Sequence, residues 1–112
     1  MVWHFRTVSV KVSGGDNGIQ GHPFPGEVNF QKPNQPFVEV RKAECAIKSF
    51  HIGYKQSDHH FKFQRIAIRD VMLAGPGVRF NVETALKDDS NDFNAYTGEV
   101  EVLVIADVVP LQ

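Results

Sequence analysis

The chain has 112 residues, 42% of them apolar and 22% charged, and its twelve basic and thirteen acidic side chains leave a formal charge of −1. That length suits one domain spanning residues 1–112 and leaves no room for two cores. The charge balance argues against electrostatic binding to DNA or RNA, which requires a clustered positive surface. No stretch reaches the roughly 18 apolar residues of a membrane helix, so no membrane insertion is expected. Met1-Val2-Trp3-His4-Phe5-Arg6 does not read as a secretory signal. The lone Cys45 rules out an intrachain disulfide, and its apolar surroundings predict a buried, reduced thiol. Together these features predict a cytoplasmic or particle-associated protein.

In chain order, Trp3 to Val12 alternates, but Trp3 and Phe5 share one face while Val8, Val10 and Val12 share the other. Such a change of parity predicts a bulge or a change of partner strand. Ser13 to Gly18 is turn chemistry throughout. Residues 18–36 hold four of the six prolines (Pro23, Pro25, Pro33 and Pro36) and read as loop, with a short edge strand from Gly26 to Phe30. Phe37 to Tyr54 is a long β-like run. In it Cys45 and Ile47 oppose Phe50, Ile52 and Tyr54, which predicts a bulge near Lys48-Ser49.

Lys55 to His60 is a polar turn, and Phe61, Phe63, Ile66 and Ile68 open a further strand, again with a parity change. Ala74-Gly75-Pro76-Gly77 returns the chain. Val78 to Leu86 is the cleanest strand: Val78, Phe80, Val82, Thr84 and Leu86 lie on one face, with Arg79, Asn81 and Glu83 on the other. After the polar loop from Asp88 to Asn94 comes a last strand, Gly98 to Val109. Its Val100, Val102, Val104 and Ala106 oppose Leu103 and Ile105, and two apolar faces predict a central strand or a subunit interface. No helical periodicity survives over ten residues. The pattern predicts an all-β, six-stranded antiparallel β-sandwich.

Candidate chemistry sits in two polar segments. Asp88, Ser90, Asp92 and Glu99 occupy places 1, 3, 5 and 12 of a calcium-loop count. Phe93 stands where that loop needs glycine, and no helix flanks it, so the EF-hand reading fails. An irregular calcium site in a β-loop stays open beside the plainer reading of a solvated hairpin. Asp58-His59-His60 offers two imidazoles and a carboxylate, but neighbours on a strand point to opposite faces, and the spacing of a zinc site is missing. No Gly-x-Ser-x-Gly elbow or Cys–His signature is present, so no enzyme is expected. The glycines from Gly14 to Gly18 precede no helix, and no phosphate cradle is expected there. No resident cofactor is expected.

The order of segments resembles the H-type lectin domain, the family of snail agglutinins and of the C-terminal part of discoidins. The resemblance runs over residues 26–107. It is carried by Gly26-Glu27-Val28-Asn29-Phe30, the Pro33–Pro36 link, Ile47-Lys48-Ser49-Phe50-His51-Ile52, Asp70-Val71, Val78-Arg79-Phe80-Asn81-Val82, Tyr96-Thr97-Gly98 and Val104-Ile105-Ala106. It implies a six-stranded antiparallel sandwich that assembles as a trimer or hexamer, with glycan sites near protomer boundaries. One departure stands out: the family's Thr-Trp-x-Asp becomes Thr84-Ala85-Leu86-Lys87, so the aromatic platform for a sugar ring is missing. Replacement contacts are expected from Asp88, Asp89, Asn91 and Tyr96, or from the His59–His60 turn. The resulting expectation is an oligomeric binding module for carbohydrate. Its rival is a structural or assembly protein of a phage or similar particle.

Overall fold

Runs that alternate β-branched or aromatic residues with polar ones become strands wherever one face can be buried. The computed structural model describes residues 3–15, 22–54, 61–88 and 95–111. It contains β1 (Trp3–Gly15), β2 (His22–Asn29), β3 (Val38–Tyr54), β4 (Phe61–Ala74), β5 (Gly77–Asp88) and β6 (Ala95–Pro110). They form two three-stranded antiparallel sheets, in the orders β1–β6–β3 and β2–β5–β4. The protein is therefore all-β, and no helix among the described residues is long and apolar enough to cross a membrane.

The sheets share one core, built mostly of valine. Val10, Val12, Val100, Val102 and Val104 come from one sheet, and Val28, Val78, Phe80 and Val82 from the other. Full burial of each valine contributes about 1.5 kcal/mol or more. The even-numbered residues of β6 face this core. On β5 the predicted set from Val78 to Leu86 is buried as expected. Both β5 and β6 are central strands, which agrees with the two apolar faces read from β6.

Strand length sets the shape. Seventeen residues in β3, at about 3.3 Å each, span roughly 56 Å, and the long dimension of the molecule is 57 Å against 20 and 17 Å for the others. The radius of gyration, 16.9 Å, exceeds the roughly 13 Å of a compact domain this long. A slim molecule leaves more of each sheet uncovered, and Ile47 and Phe50 stay exposed although their register places them on the core side of β3.

Parity changes in the sequence had three different outcomes. In β3 the register slips between Ile47 and Ser49, as predicted, and the extra Lys48 returns Phe50 and Ile52 to the face of Cys45 and Ile47. In β4 the slip falls at Lys62, earlier than the Phe63–Ile66 parity change suggests. In β1 there is none: thirteen consecutive pairs join it to β6, and Trp3 and Phe5 simply point outward. The expected bulge in β1 is thus corrected, because outward aromatics mimic inward ones in a sequence. Two further slips carry no parity signal, at Arg41 and at Asp70–Val71. Asp70 has φ of 55°, a conformation Asp tolerates better than most residues, and its Oδ2 accepts a hydrogen bond from Asn81 Nδ2 at 3.1 Å.

The segment read as loop from residue 18 contains a longer strand than expected. β2 starts at His22 and includes Pro23 and Pro25, which is allowed because β2 is an edge strand. Amides two residues apart point the same way, so both prolines turn their missing N–H away from β5. At the far end of the molecule, the Phe30 and Val40 amides donate to the carbonyls of Pro76 and Gly75 at 2.9 and 2.8 Å. These bonds pin the β4–β5 turn, where Gly75 takes the positive φ of 57° that a tight hairpin needs. The Gln31 side chain braces the adjoining loop, its amide donating to the Gln35 and Pro36 carbonyls at 3.2 Å and its Oε1 accepting from Val38 N at 3.0 Å.

Candidate ligand-binding surface

Topology gathers the strand ends that flank the candidate segments at one end of the molecule. The end of β1 meets the start of β6 (Gly15 opposite Ala95), the end of β3 meets it from the other side (Tyr54 opposite Tyr96), and the end of β5 meets the start of β4 (Asp88 opposite Phe61). Asp88 is therefore the last residue of β5. His59, His60, Asp89 and Asn91 lie outside the described residues, as do Ser90 and Asp92 of the candidate calcium loop. Among the described residues no group of three or more His, Cys, Asp or Glu is placed to hold a metal ion.

Tyr96 departs from the expectation that its ring is offered to a ligand. It is 0% exposed. Its position shares the parity of Val100, Val102 and Val104, so the pleat turns it into the core. Its hydroxyl lies 3.1 Å from Thr84 Oγ1, a buried bond that ties β6 of one sheet to β5 of the other. Gly14, its partner across β1, makes room: a methyl group there would stand 2.7 Å from the Tyr96 hydroxyl oxygen. Thr84, Ala85 and Leu86 are also buried, so no side chain in that stretch replaces the missing Trp.

Burial raises the pKa of the Tyr96 hydroxyl above its ordinary value of 10.0, against a smaller opposing pull from the Thr84 bond. An unfolded tyrosine ionises near 10 while the folded one keeps its proton, so the native state binds more protons there. Stability from this group is complete below about pH 10 and falls as pH rises further. Tyr96→Phe should cost about 1–2 kcal/mol at neutral pH, by stranding the Thr84 hydroxyl, and should flatten the alkaline fall. Urea midpoints for both proteins across that range check this. Cys45 is likewise pushed up by burial, though it is partly exposed and packs at the margin of the core. The expectation of a fully buried thiol is corrected to that extent.

Three surface hollows compare as follows. One of about 520 Å³ is walled by Pro25, Glu27, Asp70, Met72, Arg79 and Asn81. Its polar groups already serve one another, through Arg79–Glu27 at 3.6 Å and Asn81–Asp70 at 3.1 Å. A second, of about 360 Å³, lies among His4, Phe30, Pro36, Val38, Val108 and Pro110 and is mainly apolar. The third, of about 440 Å³, crosses the outward face of β1–β6–β3 and is formed by Lys11, His51, Thr97, Gly98 and Glu99.

This third groove is built by register. Lys11 and His51 each stand opposite Glu99, one from either neighbouring strand, and all three are exposed. Thr97 is exposed beside them, its hydroxyl donating to the Val12 carbonyl at 3.4 Å. Gly98 lets β3 come close: a methyl group there would overlap the His51 carbonyl oxygen and stand 2.7 Å from Ile52 Cα. An ammonium, a carboxylate, an imidazole and a hydroxyl thus share one rigid sheet face, at the end where the candidate segments begin. Of these residues, sequence reasoning weighed Glu99 only as a calcium ligand, and it missed Lys11. They are ordinary outward alternates until β1, β6 and β3 are known to be neighbours. No protein-family model, curated protein or solved structure matches the chain.

Proposed function

We propose that the chain is a self-associating binding module, a single six-stranded antiparallel β-sandwich domain of the H-type lectin kind, with carbohydrate as its ligand and no catalytic activity. The observation that carries this reading is the Lys11–Glu99–His51 groove with Thr97 beside it. Sugar hydroxyls both donate and accept, and the groove offers donors and acceptors together on a preformed surface. The two three-stranded antiparallel sheets over one core support the resemblance at the level of fold. Asp88, Asp89, Asn91, His59 and His60 remain further candidate contacts for the same ligand.

A second reading is favoured by one specific observation. Among the described residues no Trp, Tyr or Phe lines the groove, Ala85 stands in the place of the family's Trp, and Tyr96 is buried. A sheet face without a sugar platform suits a structural or assembly protein of a particle, which needs contact surfaces and no small ligand. A glycan array run in calcium and again in chelator separates the two. Saturable binding to a defined set of glycans is expected, and binding lost in chelator would point to the calcium loop. An array without hits in either condition removes the lectin reading and leaves assembly.

A further inference from the structure

At the end of the molecule opposite the polar groove, where β1 begins and β6 ends, the hollow of about 360 Å³ opens beside the core. Its walls are apolar: Phe30 and Val108 are buried, Val38 is half-buried, and Pro36 and Pro110 are exposed around them. Val38 and Pro110 form the cross-strand pair two residues beyond the buried Val40–Val108 pair, so the valine core continues into the hollow. Hydrogen bonds hold one wall in place. Gln35 N donates to the Lys32 carbonyl at 3.4 Å, across a turn in which Asn34 takes φ of 59°, and the Gln31 side chain ties that turn to Val38. A preformed hollow demands little ordering when a ligand enters. Its volume lies near the lower end of the roughly 300–1,000 Å³ of small-molecule sites, room for one ring with a short arm.

The polar lining carries one sign of charge. Lys32 and His4 line the hollow, and Gln35 adds an amide. Arg6, two residues from His4 and on the same face of β1, holds its guanidinium 5.9 Å from the centroid of the Phe30 ring. Among the described residues no carboxylate lines the hollow, and none of these three bases joins an ion pair. The chain as a whole has more acidic than basic residues, thirteen against twelve, and on the other sheet arginines do face glutamates. Lys and Arg are cationic at neutral pH, and His donates an N–H in either protonation state. Apolar walls beside donors of one sign fit an apolar group that carries an anion.

We propose that this hollow binds a small monocarboxylate bearing one aromatic ring, with the ring among Phe30, Val38 and the two prolines and the carboxylate toward Lys32 and His4. A flat ring supplies contact area with few torsions to freeze, which suits a hollow this small. The site is remote from the proposed sugar groove, and its occupancy does not depend on carbohydrate binding.

Isothermal titration of the full chain with 3-phenylpropionate tests this, with 3-phenylpropionamide as the ring without the charge and acetate as the charge without the ring. Saturable binding of the acid is expected, with the amide about tenfold weaker and acetate silent to about 10 mM. Lys32→Gln, at an exposed position, should weaken the acid about tenfold and leave the amide unchanged. Lys42→Gln removes the same charge from the outward face of the sheet and should leave both unchanged. In amide spectra of the labelled chain, the acid should shift His4, Phe30, Lys32 and Val38 and spare Lys11 and His51. Absence of saturable binding by the acid, or equal binding of acid and amide, overturns the assignment. So does an acid affinity that survives Lys32→Gln or falls equally in Lys42→Gln, or a set of shifts centred elsewhere.

Discussion

Gly98→Ala is expected to be among the most damaging single-atom additions in the chain, costing about 3 kcal/mol and lowering Tm by the order of 10 °C. The reason lies in the backbone. Gly98 stands between Val12 and Ile52 in the central strand, and its hypothetical Cβ meets the His51 carbonyl oxygen and Ile52 Cα, not the end of a flexible side chain. Relief would need β3 to move away from β6, which stretches the ladder beside the Lys11–His51 groove. The same addition at Gly53, with nothing within 4 Å, should be nearly neutral. Thermal melts of the two variants, side by side, check the pair. If Gly98→Ala melts within a degree or two of wild type, the close approach of β3 to β6 is wrong.

Phe80→Ala should cost about 4 kcal/mol, in the range for removing a buried aromatic. Phe80 is 2% exposed, in the central strand β5, and its ring lies over Gly26, its cross-strand partner on β2. Truncation opens a cavity that Gly26, having no side chain, cannot fill. Phe50 is the natural control. It also faces the core side of its sheet, yet it is 53% exposed, and Phe50→Ala should cost about 1 kcal/mol or less. Urea denaturation of both variants gives the comparison, and similar losses at the two sites would contradict the packing described here. A large loss at Phe50 alone would place a cover over it, such as a neighbouring subunit.

Much of the fold was legible where burial is one-sided. The alternation from Val78 to Leu86 could be satisfied in one way only, and the slip at Lys48 followed because it keeps Cys45, Ile47, Phe50 and Ile52 on one face of β3. Trp3 and Phe5 misled, since an exposed aromatic pair has the same period as a buried one. Tyr96 misled for a different reason. The last strand was expected to start only at Gly98, but counting back from Val100 by twos reaches Gly98 and then Tyr96, so its inward parity was present in the sequence.

The groove was not legible, because Lys11, Glu99 and His51 become neighbours only through the order β1–β6–β3, which pairs the first strand with the last. Non-local pairing of that kind leaves no mark in local periodicity. The slip at Asp70–Val71 escaped for a related reason. It depends on a positive φ held by a hydrogen bond from Asn81 on the next strand.

Both the lectin and the assembly readings use the same two sheets, and they part over whether the polar groove holds a sugar. Amide chemical-shift mapping of the isotope-labelled full chain, titrated with neutral mono- and disaccharides to millimolar concentration, addresses this most directly. Saturable shifts at Lys11, His51, Thr97, Gly98 and Glu99, with Phe80 and Val82 in the core unmoved, are the predicted result. An unchanged spectrum throughout the titrations, or shifts centred elsewhere on the molecule, would contradict the assignment of this groove to carbohydrate.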